Sequence, residues 1–156
     1  MPKESAGLLV YRTRGAQLEV FLVHPGGPFW AKKDAGAWSI PKGELAVGEE
    51  PLEAARREFT EETSHVVAGP FAPLGTVRQA GGKIVHGFMA EADFDAATIV
   101  STTFRMEWPP RSGRFTDFPE VDRAEWLSPE AAMEKINPAQ AELLTRLRTA
   151  LERAKA

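Results

Sequence analysis

The chain has 156 residues, no cysteine and a formal net charge of −3, which is one domain's worth of polypeptide that must fold without disulfides or thiolate metal ligands. Its 43% hydrophobic and 26% charged residues are ordinary for a globular protein. The slightly acidic balance excludes a global attraction to nucleic acid or to an anionic membrane, so a polyanionic ligand has to be met by local basic groups or by metal. The opening MPKESAG lacks the apolar core of a signal peptide, and no apolar run approaches membrane-spanning length. The expectation is one domain over 1–156, cytoplasmic, with no membrane partner and no extended nucleic-acid surface. Oligomeric state is not written in the sequence.

Taken in order, Ala6 to Tyr11 (AGLLVY) and Leu18 to Val23 (LEVFLV) are apolar runs on either side of a polar turn at Thr13 to Ala16, and predict two strands. His24-Pro25-Gly26-Gly27-Pro28 then opens a loop carrying Phe29, Trp30, Lys32 and Lys33, ahead of a short strand predicted at Trp38 to Ile40. Aromatic rings stack on bases and lysines meet phosphate, which makes Trp30, Lys32 and Lys33 candidate substrate contacts. The plainer alternative is that Phe29 and Trp30 pin the loop to the core.

The next stretch, Gly43 to Glu62 (GELAVGEEPLEAARREFTEE), holds the densest set of carboxylates at helical spacing. Pro51 is a favoured first helical residue, and Leu52, Ala55 and Phe59 then recur at helical intervals as one apolar face. Glu58, Glu61 and Glu62 project from a patch away from Phe59. Such a helix is commonly a solvated one laced with ion pairs, here Glu53 with Arg57 and Arg57 with Glu61. Against that, Glu58 and Glu62 are like charges one turn apart, a repulsion that a purely structural helix has no use for. The glycines Gly43 and Gly48 also predict a tight loop able to bring backbone carbonyls beside the carboxylates.

After the helix, Val66-Val67 predicts the start of a strand before Gly69-Pro70, and Leu74 to Gln79 with Lys83 to Ala92 predict a hairpin around Ala80-Gly81-Gly82. His24, His65 and His86 are isolated histidines, for which a structural role is the ordinary one. The segments 97–103 and 104–108 carry no decisive pattern, and Pro109 to Arg114 predicts a loop leading through Phe115 and Phe118 to Glu120. Ala124 to Leu127 predicts a last strand. Ser128-Pro129 and Asn137-Pro138 are helix starts, with Gln140 placed to close a capping box and Leu143, Leu144, Leu147 and Leu151 as a buried stripe. Strands mixed with one central and two terminal helices predict an α/β class, with helices on both faces of a mixed sheet.

Gly43, five residues, Glu49, seven residues, then Arg57-Glu58-Phe59-Thr60-Glu61-Glu62 resembles the signature of the Nudix hydrolase family, G-x5-E-x7-R-E-U-x-E-E-x-G-U, where U is a bulky apolar residue. Two positions depart from it: Ser64 stands where the pattern has glycine, which would suit a left-handed helix cap, and His65 where it has an apolar residue. The resemblance implies an α/β/α sandwich and hydrolysis of a nucleoside diphosphate linked to another moiety, with Mg²⁺ or Mn²⁺ as cofactor and a small-molecule nucleotide as substrate. It also implies that Glu58, Glu61 and Glu62 ligate metal or activate water, that the Lys42 main-chain carbonyl adds an oxygen, and that Glu49 and Arg57 form a supporting ion pair. By the same resemblance Glu120 is a candidate late ligand and Lys42 a candidate phosphate contact. Which glutamate acts as base stays open. A nucleoside triphosphate or dinucleoside polyphosphate is the favoured substrate, with ADP-ribose-like compounds and capped RNA as alternatives. A nucleotide-sensing module on the same fold and a helix that serves only a protein partner are the competing kinds of function.

Overall fold

The structure, a computed structural model, describes residues 3–155. Strands β1 (Glu4–Arg14), β2 (Gln17–Pro25), β3 (Lys42–Glu44), β4 (Ala72–Arg78), β5 (Ile84–Glu91) and β8 (Val121–Leu127) form a six-stranded sheet in which β4, β5, β1, β2 and β8 lie side by side and β3 pairs with β1. The sheet is mixed, since β1 runs parallel to β5 and antiparallel to β2 and β3. Strands β6 (Thr103–Glu107) and β7 (Phe115–Pro119) make a separate two-stranded ribbon.

The apolar run in β1 is continuous because the strand is covered on both faces. Side chains alternate along a strand, so Ala6, Leu8 and Val10 join Phe21 and Val23 of β2 against Ala54, Ala55 and Phe59 of helix α1 (Pro51–Thr63). Leu9, Val20 and Leu22 turn the other way. They pack against Ala132 of α2 (Pro129–Lys135) and Leu143, Leu144 and Leu147 of α3 (Ala141–Lys155). Helices on both faces of a mixed sheet are the predicted α/β/α sandwich. No helix among the described residues is long and apolar enough to cross a membrane.

Several predicted elements shift. Trp38 to Ile40 makes only isolated bridges, Val23 with Ser39 and Trp38 with Ile136, and the ladder with β1 is made by Lys42–Glu44 instead. Val66-Val67 is irregular: Val67 is buried in the core, in the cluster that holds Leu8 and Phe59, while Val66 is exposed. Phe115 to Pro119, expected as loop, pairs with Thr103 to Glu107. The turn between them is held by the Glu107 carboxylate, which accepts the N–H groups of Arg111 and Gly113, both at 3.1 Å.

Candidate functional site

Helix α1 begins at Pro51 after an extended Glu50 that makes no side-chain cap, and its buried residues Ala54, Ala55, Phe59 and Thr63 set which way the helix turns on the sheet. That rotation leaves Glu58, Glu61 and Glu62 facing the end of β3. Gly43 of β3 passes so close to Glu58 that any side chain at position 43 would overlap the Glu58 carboxylate. Glycine here leaves the Glu58 carboxylate its place, since a Cβ would have to push that flexible carboxylate aside, and no left-handed backbone is involved.

Arg57 organises the loop and the acids together. Its Nε and Nη2 donate to the two carboxylate oxygens of Glu49, each at 2.9 Å, a bidentate fork of the strong kind. Its Nη1 donates to Glu58 at 2.8 Å and to Glu61 at 3.2 Å, and Nη2 also reaches the Glu44 carbonyl at 3.1 Å. Glu49 further accepts the Ala46 N–H at 2.9 Å. The Arg57 guanidinium, then that amide, holds the Glu49 carboxyl down at about 2, and Arg57 in turn is held more firmly protonated, chiefly by Glu49. The expected Glu49–Arg57 pair thus forms, as does Arg57 with Glu61; Glu53 is not a partner of Arg57.

The other acids are pushed the opposite way. Burial, then the charges of Glu58 and Glu120, raise Glu62 to about 8 although the Lys42 ammonium and main chain oppose the shift. Burial is also the leading cause of the raised pKa values of Glu58, where Arg57 opposes it, and of Glu120, where Glu61 adds to it. Lys42 is lowered by its own burial and by the nearby Lys83. Glu120, between β7 and β8, therefore joins the helix acids despite lying some sixty positions away in the sequence.

This donor set consists of carboxylates, which suits a hard divalent cation. Among the described residues no three acidic or histidine side chains close around one point, because Glu58 and Glu61 both lean on Arg57. The fit rests on charge. Glu58, Glu62 and Glu120 are raised by burial first and also by neighbouring acids, and a cation there would favour their charged forms.

Beside the acids lies a cavity of about 300 Å³ lined by Trp30, Lys42, Glu62, Gln79, Glu120 and Asn137, with apolar walls from the sheet. Trp30 thus reaches the site from the loop after β2. Phe29 packs edge-on against Trp108 at 5.5 Å between ring centroids, so the loop is pinned by one aromatic and presents the other. Lys33 is not among the lining residues; its ammonium sits 5.0 Å from the centre of the Trp30 ring. Lys32 is exposed on the same loop and also stands outside the lining.

The sequence profile of the NUDIX domain matches residues 1–147. The chain belongs to the Nudix hydrolase family. Solved structures similar to this Nudix chain include a Caenorhabditis elegans Ap4A hydrolase in a binary complex, 21% identical, covering 96% of this chain and 98% of that one with a TM-score of 0.69. The NUDIX domain of Shewanella oneidensis NrtR complexed with ADP ribose is 17% identical and covers 97% of this chain and 89% of its own, also at 0.69. A mutT/nudix family protein from Listeria innocua is 16% identical, with coverage of 99% and 97% and a TM-score of 0.64. At these identities the likeness establishes the fold. No curated protein matches the sequence.

The Nudix signature does not disclose the polar side of the cavity. Gln140, expected to close a capping box, is instead fully buried, and its side chain bonds to Ile40, Ser39 and Gln79. Gln79 and Asn137 stand at the end of a predicted hairpin strand and at a helix start, where nothing in the spacing marks a ligand contact. The histidines are structural: His24 is buried with Nδ1 at 2.7 Å from Asp122 and Nε2 at 2.7 Å from the Lys33 carbonyl. His86 meets Glu4 at 2.7 Å, and His65 stacks on Phe94.

Proposed function

We propose that the whole chain acts as one catalytic domain that hydrolyses a pyrophosphate bond in a nucleoside diphosphate linked to another moiety, with a nucleoside triphosphate or a dinucleoside polyphosphate as the favoured substrate. The observation that carries this reading is the convergence of Glu58, Glu61, Glu62 and Glu120 beside a cavity that holds a lysine and a tryptophan. The names of the similar structures, an Ap4A hydrolase and a domain with ADP ribose bound, support nucleotides with a pyrophosphate linkage as the class to test.

Displacement at phosphorus develops charge on the phosphoryl oxygens and needs an in-line water. Glu58, Glu61, Glu62, Glu120 and the Lys42 carbonyl would hold a divalent cation, Mg²⁺ or Mn²⁺, which when bound neutralises phosphate charge and makes water a better nucleophile. Arg57 and Glu49 position the acids: Arg57 ties the loop before α1 to the helix, and a bidentate pair fixes it in two directions. The Lys42 ammonium meets a phosphate oxygen. Trp30 offers a ring face to a base. A carboxylate of the cluster takes the proton of the attacking water, and separate Gln substitutions identify it.

The test is a panel of nucleoside triphosphates, dinucleoside polyphosphates, ADP-ribose and capped RNA with Mg²⁺, run in ¹⁸O-water with products resolved by mass. A label on one phosphate product locates the attacked phosphorus. Glu58→Gln and Glu62→Gln are each expected to lose most turnover while melting as folded proteins. Near-normal rates in both would end this assignment.

A further inference from the structure

We infer that the cavity reads its base through two amide donors, Gln79 and Asn137, and accordingly favours guanine over adenine; this rests on the nucleotide reading above and adds the base to it.

The orientation of Gln79 follows from donors whose identity is fixed. The Ile40 backbone N–H donates to Gln140 Oε1 at 3.1 Å, so the Gln140 amide has its oxygen toward Ile40 and its nitrogen away. Ser39 Oγ donates to the Ile40 carbonyl at 2.6 Å, which leaves the hydroxyl oxygen to accept from Gln140 Nε2 at 3.0 Å. The other N–H of Gln140 goes to Gln79 Oε1 at 2.9 Å. Gln140 is completely buried, and satisfying a buried amide is a strong constraint. It therefore holds Gln79 with the carbonyl oxygen engaged and the Nε2 group left over.

Asn137 reaches the same state independently. Its Oδ1 accepts the Ala139 N–H at 3.0 Å, so its Nδ2 group is also left over. Both residues line the cavity, and among the described residues neither amide nitrogen has a protein acceptor. The cavity lining thus holds two neutral –NH₂ groups and the Trp30 ring together with the acids Glu62 and Glu120.

Two donors ask for two acceptors. The guanine edge offers O6 and N7, both acceptors, whereas adenine sets its N6 amino donor beside N7. With adenine one protein donor faces another donor, and a site built to hydrogen-bond discriminates strongly against a ligand that leaves its groups unpaired. A matched pair of this kind is worth roughly 5- to 150-fold between bases. The inference departs from the adenine nucleotides named for the similar structures.

The experiment is a calorimetric titration of the full chain, with Mg²⁺ present, by methylene-bridged, non-hydrolysable analogues of GTP and ATP. The guanosine analogue is expected to bind at least about 5-fold more tightly. Gln79→Glu and Asn137→Asp each keep the oxygen that bonds Gln140 or Ala139 and convert the free donor to an acceptor. The added charge weakens both nucleotides alike, so the ratio of affinities is the readout, and it should fall toward one or invert in favour of adenine. A wild-type ratio of one or less overturns the inference, as does an unmoved ratio in whichever of the two variants melts as a folded protein. Hydrolysis is scored separately: equal turnover of GTP and ATP with equal binding removes the base preference and leaves the pyrophosphatase, whereas a guanine preference in binding without turnover removes the pyrophosphatase and leaves the base site.

Discussion

Arg57 spreads one guanidinium over Glu49, Glu58, Glu61 and a backbone carbonyl, and a lysine ammonium has neither the planar fork nor the reach for that. Arg57→Lys is expected to lower kcat/KM by about 10- to 100-fold, the usual cost of losing a group that orients metal ligands; unchanged kinetics would show that the loop is fixed by other means. Glu62 offers a test in the metal-free protein. Its carboxyl titrates near 8 in the folded chain, pushed up by burial first and by Glu58 next, and near the ordinary carboxylate value when unfolded. Between those values the folded state binds a proton that the unfolded state does not, so stability falls as pH rises through the window and is fully restored only below it. In chelator, the melting temperature should therefore decline between about pH 5 and pH 8 by more in wild type than in Glu62→Gln. Parallel melting curves for the two proteins across that range would remove the raised pKa.

Helix α1 stops where the backbone of Ser64 turns left-handed, with φ of 66° and ψ of 10°. This is the position at which the family pattern has glycine. The cost of that conformation for a residue with a Cβ, about 1–2 kcal/mol, is offset here by Ser64 Oγ donating to the Val100 carbonyl at 2.6 Å and by its N–H donating to Thr60 at 2.8 Å. A neutral hydrogen bond contributes about 0.5–1.5 kcal/mol. Ser64→Gly relieves the strain and loses the hydroxyl bond, so it should be close to neutral, whereas Ser64→Ala keeps the strain, loses the bond and should be the less stable of the two by about 1 kcal/mol. That is about 2–4 °C in a chain of this size. Alanine melting at or above glycine would mean that the left-handed cap does not limit the helix.

For the molecule as a whole, a cluster of acids in a partly buried cleft predicts coupling between folding and metal. A ligand bound only by the folded chain at a hundred times its dissociation constant stabilises by about 2.7 kcal/mol, on the order of 5–10 °C here. Wild type should melt that much higher in saturating Mg²⁺ than in chelator, and Glu62→Gln should gain less; equal melting of wild type with and without metal would return α1 to the status of a salt-bridged surface helix. The local parts of this design were open to reading from the chain. Pro51 and the spacing of Leu52, Ala55 and Phe59 specify α1, and the register Gly43, Glu49, Arg57, Glu58, Glu61, Glu62 specifies its acids, because helical periodicity and short loops are set by neighbours in the chain. The run AGLLVY likewise announces a strand, and that both of its faces are covered is seen only in the fold. What needed the tertiary structure was every relation across distance. Ladder pairing moved the short strand from Trp38 to Lys42, and Thr103 to Glu107 became a strand only by meeting Phe115 to Pro119. Glu120 reached the acids through the return from β7 to β8. Gln140, by every local sign a helix cap, turned inward because the buried Ile40 amide required an acceptor. Caps and periodicities draw on residues a few positions apart, whereas a buried donor is satisfied by whichever acceptor the fold brings to it.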